Sequence, residues 1–184
     1  MSDPAPALPE VNLQPGELYL ARHPAILRTI LGSCVSVTFW SPRLGAGAMC
    51  HGVLPRCPLL APGSSSSEGS RYVDYSIRYL AQKFDALGVR REELEVKLFG
   101  GADVLPIARV GRPTVGAVNR QTAIEVLAEE GFTLRSSDVG GVRGRRIQFD
   151  TGSGEVLVYR LAAWGDTDVL RQQLGAASVR EFEP

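Results

Sequence analysis

Histidine is scarce in this chain of 184 residues, with two, and cysteine is nearly as rare, with three. An odd, small cysteine count with no paired spacing argues against a disulfide framework and for a reducing compartment, so a cytoplasmic location is expected. Net charge is also missing: 20 Lys and Arg balance 20 Asp and Glu. That balance gives no reason to expect nucleic acid or an anionic membrane surface as the main partner. No apolar run approaches the roughly 20 residues of a membrane span, so no membrane insertion is expected. The opening MSDPAPALPEVNLQPGE has neither the basic start nor the apolar centre of a signal peptide. Neither Gly-x-Gly-x-x-Gly nor the Walker pattern occurs, which leaves phosphate binding unsupported. No internal repeat is visible. What the chain does have is 44% hydrophobic and 22% charged residues, the composition of an ordinary globular protein long enough for one sizeable core.

Residues 1–16 carry four prolines and few bulky apolar groups, which predicts a loose N-terminal arm followed by a single domain over 17–184. Strands are expected at 18–20, 25–31, 35–40 and 48–54; in the third, Val35-Ser36-Val37-Thr38-Phe39-Trp40 alternates apolar and polar. The stretch 55–70, rich in Pro, Ser and Gly, reads as a mobile loop. A helix is expected from about Arg71 with Ser70 as its N-cap. Val73, Ile77, Leu80, Phe84 and Leu87 form its apolar stripe, and Gly88 ends it. A strand at 94–99 stops at Gly100-Gly101, and a second helix covers 115–130 and closes at Gly131. Further strands are expected at 132–136, 146–149 and 155–161, the last two joined by a hairpin turn over 150–154. A short helix is expected after Trp164. Strands clustered first, with two helices interleaved later, predict an α/β layered sandwich of mixed β-sheets with two main helices, not a doubly wound nucleotide fold.

The chemistry-bearing stretch is LRTILGSCVSVTFWSPRLGAGAMCHGVLP, residues 27–55. Gly32 permits a sharp turn, so Cys34 is expected at a strand's mouth. The loop over 41–47 reverses the chain and can bring His51 back beside it. A thiol is a weak nucleophile until a base takes its proton, and this pair has the chemistry for that. The plainer reading is a buried, inert Cys34 and a hydrogen-bonded structural His51. Zinc is a further alternative, with Cys34, Cys50, His51 and Cys57 as ligands. Its spacing is poor, because the adjacent Cys50 and His51 would point to opposite faces of a strand. Thr29 is either an ordinary strand residue or the group that holds the imidazole. The glycine pairs at 100–101 and 140–141, with Asp103 and Asp138, read as turn formers. The run Arg143-Gly144-Arg145-Arg146 reads as a solvated edge.

Several blocks in order resemble one family, the chemoreceptor glutamine deamidases of chemotaxis, CheD. They are Leu31-Gly32-Ser33-Cys34-Val35, His51-Gly52-Val53-Leu54-Pro55, Arg71-Tyr72-Val73-Asp74-Tyr75, Lys97 to Asp103, Asn119, and Asp138 to Arg145. The resemblance implies a cysteine hydrolase without metal or organic cofactor, whose fold is similar to the catalytic domains of deamidating bacterial toxins. It implies Cys34 as nucleophile, His51 as general base, and glutamine side chains of a chemoreceptor's cytoplasmic helices as substrate, converted to glutamate through a thioester. Ser33 and Gly32 would support the oxyanion. It extends to receptor glutamyl methyl esters and to a partner, the CheC-type phosphatase of the response regulator. In the family's pattern a threonine is expected six positions before the cysteine. Here that position is Arg28, and Thr29 lies one later, which in an extended strand puts it on the opposite face unless a bulge intervenes. Two rivals remain: a non-catalytic receptor- or phosphatase-docking module, and a cysteine peptidase.

Overall fold

The centre of the molecule is the hairpin of β4 (Val35–Ser41) and β5 (Ala46–Cys50). Val35, Val37 and Phe39 alternate with Ser36, Thr38 and Trp40, so one face of β4 is wholly apolar. Gly45, at φ 58°, supplies the left-handed step of the reversal, and the strands then pair antiparallel with Thr38 opposite Met49. Residues 7–58, 69–104 and 111–162 are described by this computed structural model.

Around that hairpin, β2 (Leu18–Ala21), β6 (Glu95–Gly100) and β7 (Leu134–Val139) complete a five-stranded mixed sheet in the order β2-β5-β4-β6-β7. β6 and β7 run parallel, joined through helix α2 (Val115–Glu129). A second mixed sheet of four strands has the order β1-β3-β8-β9, from β1 (Glu10–Asn12), β3 (Ile26–Leu31), β8 (Arg145–Asp150) and β9 (Val156–Arg160).

Burial separates two cores. Val35, Val37, Phe39 and Cys50 face α1 (Val73–Ala86) and α2, meeting Ile77, Leu80, Phe84 and Val126. Met49 and Phe99, from the other face, meet Leu27, Leu31, Ile147 and Phe149 of the second sheet. The molecule is therefore three layers, helices on sheet on sheet, as the α/β layered expectation had it. β4 and β5 lie in the middle layer, which is why both of their faces are buried.

Most elements fall where the periodicity puts them. Gly88 and Gly131, at φ 69° and 78°, follow the two helices. Thr114 caps α2 by accepting from the Ala117 N–H at 3.1 Å. The exceptions have physical causes. α1 begins at Val73, not Arg71, and Ser70 is not its cap: Tyr72 is extended because it bridges to Leu54, whose carbonyl accepts from the Val73 N–H. Within the stretch expected as a loose arm, residues 10–12 form β1, parallel to β3. The two prolines that flank the strand, at 9 and 15, lie outside it, where they interrupt no ladder. Arg145 is not on a solvated edge but wholly buried. Its guanidinium donates to the carbonyls of Gly100, Asp138 and Gly140 and pairs with the Asp138 carboxylate at 2.9 Å. Asp138, expected in a turn, is a β7 residue that also meets Arg160. The helix expected after Trp164 and most of the 55–70 loop lie outside the described residues.

Candidate active site

β4 and β5 remain paired one step beyond the hairpin, where Val35 and Gly52 exchange both backbone hydrogen bonds, at 3.0 and 2.8 Å. Their register continues that of Thr38 and Met49, so Ser36 stands opposite His51, and Cys34 lies two residues before Ser36, one step past the last pair. Cys34 and His51 point to the face that meets the second sheet, where Cys34 packs against its core and His51 meets Thr29. Cys34 and His51 are thus diagonal neighbours on one face, a relation in which Cβ atoms lie within about 7–8 Å. Cys50, one residue away, faces the helices instead, so the zinc set is split between two layers.

The sulfur sits where β4 begins, half-buried. Its backbone is held from β6: the Gly101 N–H donates to the Cys34 carbonyl at 2.7 Å, and the Ala102 N–H to the Gly32 carbonyl at 2.9 Å. Gly100 has φ 100°, and a Cβ there would lie 2.2 Å from the Cys34 oxygen, so the close approach requires glycine. Gly32 itself has no positive φ. The chain bends at Gly32 and Ser33 just before β4, as expected, without a left-handed step; the left-handed glycines beside Cys34 are Gly100 and Gly101.

His51 is buried, and Gly16 and Glu17 hold its main chain. The His51 N–H donates to the Glu17 carbonyl at 2.8 Å, and its own carbonyl accepts from the Gly16 N–H at 2.9 Å. From β3, Thr29 Oγ1 lies 2.7 Å from His51 Nδ1 and donates to the Leu13 carbonyl at 2.9 Å. Thr29 is therefore not on the far face. Leu27, Thr29 and Leu31 point inward together, while Arg28 points outward to Glu10 and Gln148. No bulge is needed; the count of six positions, not the strand, was misleading. A hydroxyl has one proton, and here it goes to Leu13. Nδ1 must then carry the ring proton and donate to Oγ1, which leaves Nε2 unprotonated. Nε2 is buried and bonded to no described residue. A cleft of about 720 Å³ reaches the ring beside Thr29, lined also by Asn12, Gln14, Arg28 and Arg146.

Burial pushes the His51 pKa below its ordinary value, against the opposing pull of the Leu13 carbonyl and the Glu17 carboxylate. Burial likewise pushes the Cys34 thiol up, partly offset by its own N–H. Both shifts favour a neutral thiol and a neutral imidazole at rest. The sequence reading did not find Leu13, Gly16 and Glu17, which act through the main chain. Nor did it find a role for Asn119, whose buried amide in α2 donates to the Ser33 and Val53 carbonyls, each at 3.0 Å. A polar residue on a face shared with Ala123 and Val126 was the signal for it.

Fold and site together define a layered α/β domain carrying the thiol, imidazole and hydroxyl that a cysteine-dependent hydrolase uses. The sequence model of one family, CheD, described as chemotactic sensory transduction, matches residues 54–160. A relative from Geobacter sulfurreducens, named a probable chemoreceptor glutamine deamidase CheD 2, is 44% identical over 156 residues, covering 85% of this chain and 92% of its own. A probable chemoreceptor glutamine deamidase CheD from Maridesulfovibrio salexigens is 42% identical over 156 residues, with 82% and 91% covered. One from Rhodospirillum rubrum is 37% identical over 152 residues, with 83% and 82% covered. The chain belongs to the CheD family. Thr29, Cys34 and His51 precede the matched segment of the family model, but the Geobacter alignment is too long to exclude them.

Proposed function

We propose that this protein is a chemoreceptor glutamine deamidase acting in chemotaxis, with Cys34, His51 and Thr29 as its catalytic set. The observation that carries the assignment is the chain from Leu13 through Thr29 to His51, which leaves Nε2 as a base on the sheet face it shares with Cys34. The names of the relatives supply the substrate.

In this reading the Cys34 thiol passes its proton to Nε2 as sulfur bonds to the carbon of a glutamine side-chain amide. The carbonyl oxygen becomes an oxyanion, held by the Cys34 N–H with the Ser33 N–H beside it. The His51 imidazolium returns the proton to nitrogen, the C–N bond breaks, and ammonia leaves a thioester. Water then gives a proton to Nε2 and attacks the thioester carbon, and sulfur departs with that proton. Glutamate remains, so a neutral side chain has become an anion on the receptor's helices. The same attack serves a glutamyl methyl ester, with methanol as leaving group. Neither metal nor organic cofactor enters. The domain proposed for this work begins at β1 rather than at residue 17, because residues 13–17 bond the His51 main chain and the Thr29 hydroxyl. A CheC-type phosphatase is the proposed protein partner, and the cytoplasm the proposed location; no helix among the described residues is long and apolar enough to cross a membrane.

The test is incubation with a receptor cytoplasmic fragment, followed by mass spectrometry and an ammonia assay. The expected result is a gain of about one dalton per modified glutamine, abolished by Cys34→Ala and by His51→Ala. Full activity in either variant refutes the catalytic set. A new peptide amine in place of ammonia would make the protein a peptidase, and binding without turnover a docking module.

A further inference from the structure

Beyond Val35 and Gly52 the β4 and β5 chains diverge, and the Asn119 side chain enters the gap from α2. Its two N–H groups divide between the chains, one to the Ser33 carbonyl and one to the Val53 carbonyl, each at 3.0 Å. The amide cannot be turned round, since Oδ1 would then face two carbonyl oxygens. Oδ1 is left buried and bonded to no described residue, an unfavourable state tolerated here together with the two donated bonds. In a planar trans peptide the carbonyl and the next N–H point opposite ways, and the Ser33–Cys34 bond is not cis. With the Ser33 oxygen drawn to Asn119, the Cys34 N–H is turned away from α2, toward the face that carries the sulfur. That N–H bonds to no other described residue, and it favours the thiolate of its own residue.

We propose that Asn119 is a positioning residue that holds the Ser33–Cys34 peptide in the one orientation that aims the Cys34 N–H at the sulfur and at the oxyanion forming beside it. The role deepens the deamidase reading and rests on it for the oxyanion, but the orientation of the peptide can be tested without any substrate.

The experiment is Asn119→Ala, with Cys34 alkylation by iodoacetamide followed across pH by peptide mass spectrometry, and with kcat and KM measured on the receptor fragment. Freed from Asn119, the peptide turns and the thiolate loses its donor, so the alkylation midpoint moves to higher pH. Deamidation kcat falls by about 10–100-fold, short of or equal to the loss of one oxyanion donor, while KM stays within about threefold because ground-state contacts are untouched. A purely structural asparagine would lower the melting temperature and leave the midpoint in place. An unchanged midpoint therefore overturns the assignment, whatever happens to stability. Should wild-type protein release no ammonia, the deamidase reading fails while the alkylation profiles still decide the orientation. Should Asn119→Ala not fold, the amide resonance of Cys34 in wild-type protein decides it. That resonance moves downfield as the thiol ionises if the N–H faces the sulfur, and one that does not move overturns the proposal.

Discussion

Replacing Thr29 with valine keeps the shape of the side chain and removes the hydroxyl that links His51 to Leu13. Two bonds go, at 2.7 and 2.9 Å. Both orphaned groups are buried, and each costs about 1–3 kcal/mol. A loss of about 2–6 kcal/mol is expected, which for a domain of this size lowers the melting temperature by about 4–24 °C. The catalytic cost comes from the next step. In the proposed mechanism His51 takes the thiol proton, the ring becomes an imidazolium, and its bond to Oγ1 becomes charge-assisted, worth about 1.5–3 kcal/mol. Only the excess over the neutral bond, about 1–2 kcal/mol, exists in the transition state and not at rest, so its removal lowers kcat by about 5–30-fold and leaves KM nearly unchanged.

The assay is steady-state ammonia release from a receptor fragment at 25 °C, well below the melting temperature of the variant, with Thr29→Ser as the control. Serine keeps the oxygen and should keep kcat within a few-fold while losing only the packing of one methyl. A folded Thr29→Val variant with kcat within about threefold of wild type would refute the reasoning and place the orienting group elsewhere. Equal losses in the serine and valine variants would refute it as well, since they would show that packing and not the hydroxyl matters.

Gly100→Ala places a Cβ 2.2 Å from the Cys34 carbonyl oxygen at φ 100°, so urea unfolding should show a loss above about 4 kcal/mol; Gly45→Ala, at φ 58° with open space around it, should cost only about 1 kcal/mol. Because burial holds His51 below its ordinary 6.5, the folded state binds fewer protons than the unfolded one just beneath that pH. Stability should fall as pH drops from 6.5 through the folded pKa, and the acid limb of kcat/KM should lie below 6.5. Cys50 behaves oppositely: burial pushes it up to about 11 from 9.0, so stability is intact below pH 9 and should decline by about 3 kcal/mol between 9 and 11. Cys50→Ala should flatten that decline, and in native protein at neutral pH Cys50 should be the last of the three thiols to alkylate.

Side-chain alternation carried most of the fold. Val35, Val37 and Phe39 face one way, and Leu27, Thr29 and Leu31 do the same on β3, so the strands and their buried faces were legible from residue type alone. The same alternation also located Thr29. With a charged Arg28 on one side and an exposed Ile30 on the other, only the odd positions can face a core; counting back from the cysteine to the family's threonine obscured what the strand itself states. That Cys34 and His51 share a sheet face was legible for a related reason, since a hairpin with one fixed register sets which residues point the same way. What was not legible is what the main chain contributes. β1 is three residues with no periodicity to read, between prolines that argue for an arm. Yet it leads into Leu13, whose carbonyl decides which ring nitrogen of His51 carries the proton, and a carbonyl has no residue type. Arg145 was misread for the opposite reason: its charge announced solvent, and only the turn geometry that converges three carbonyls and a carboxylate on one guanidinium makes its burial favourable. The proposed thiol and base are thus written in side chains, whereas the proton's direction through the proposed site is set by a backbone oxygen that only the folded chain brings to Thr29.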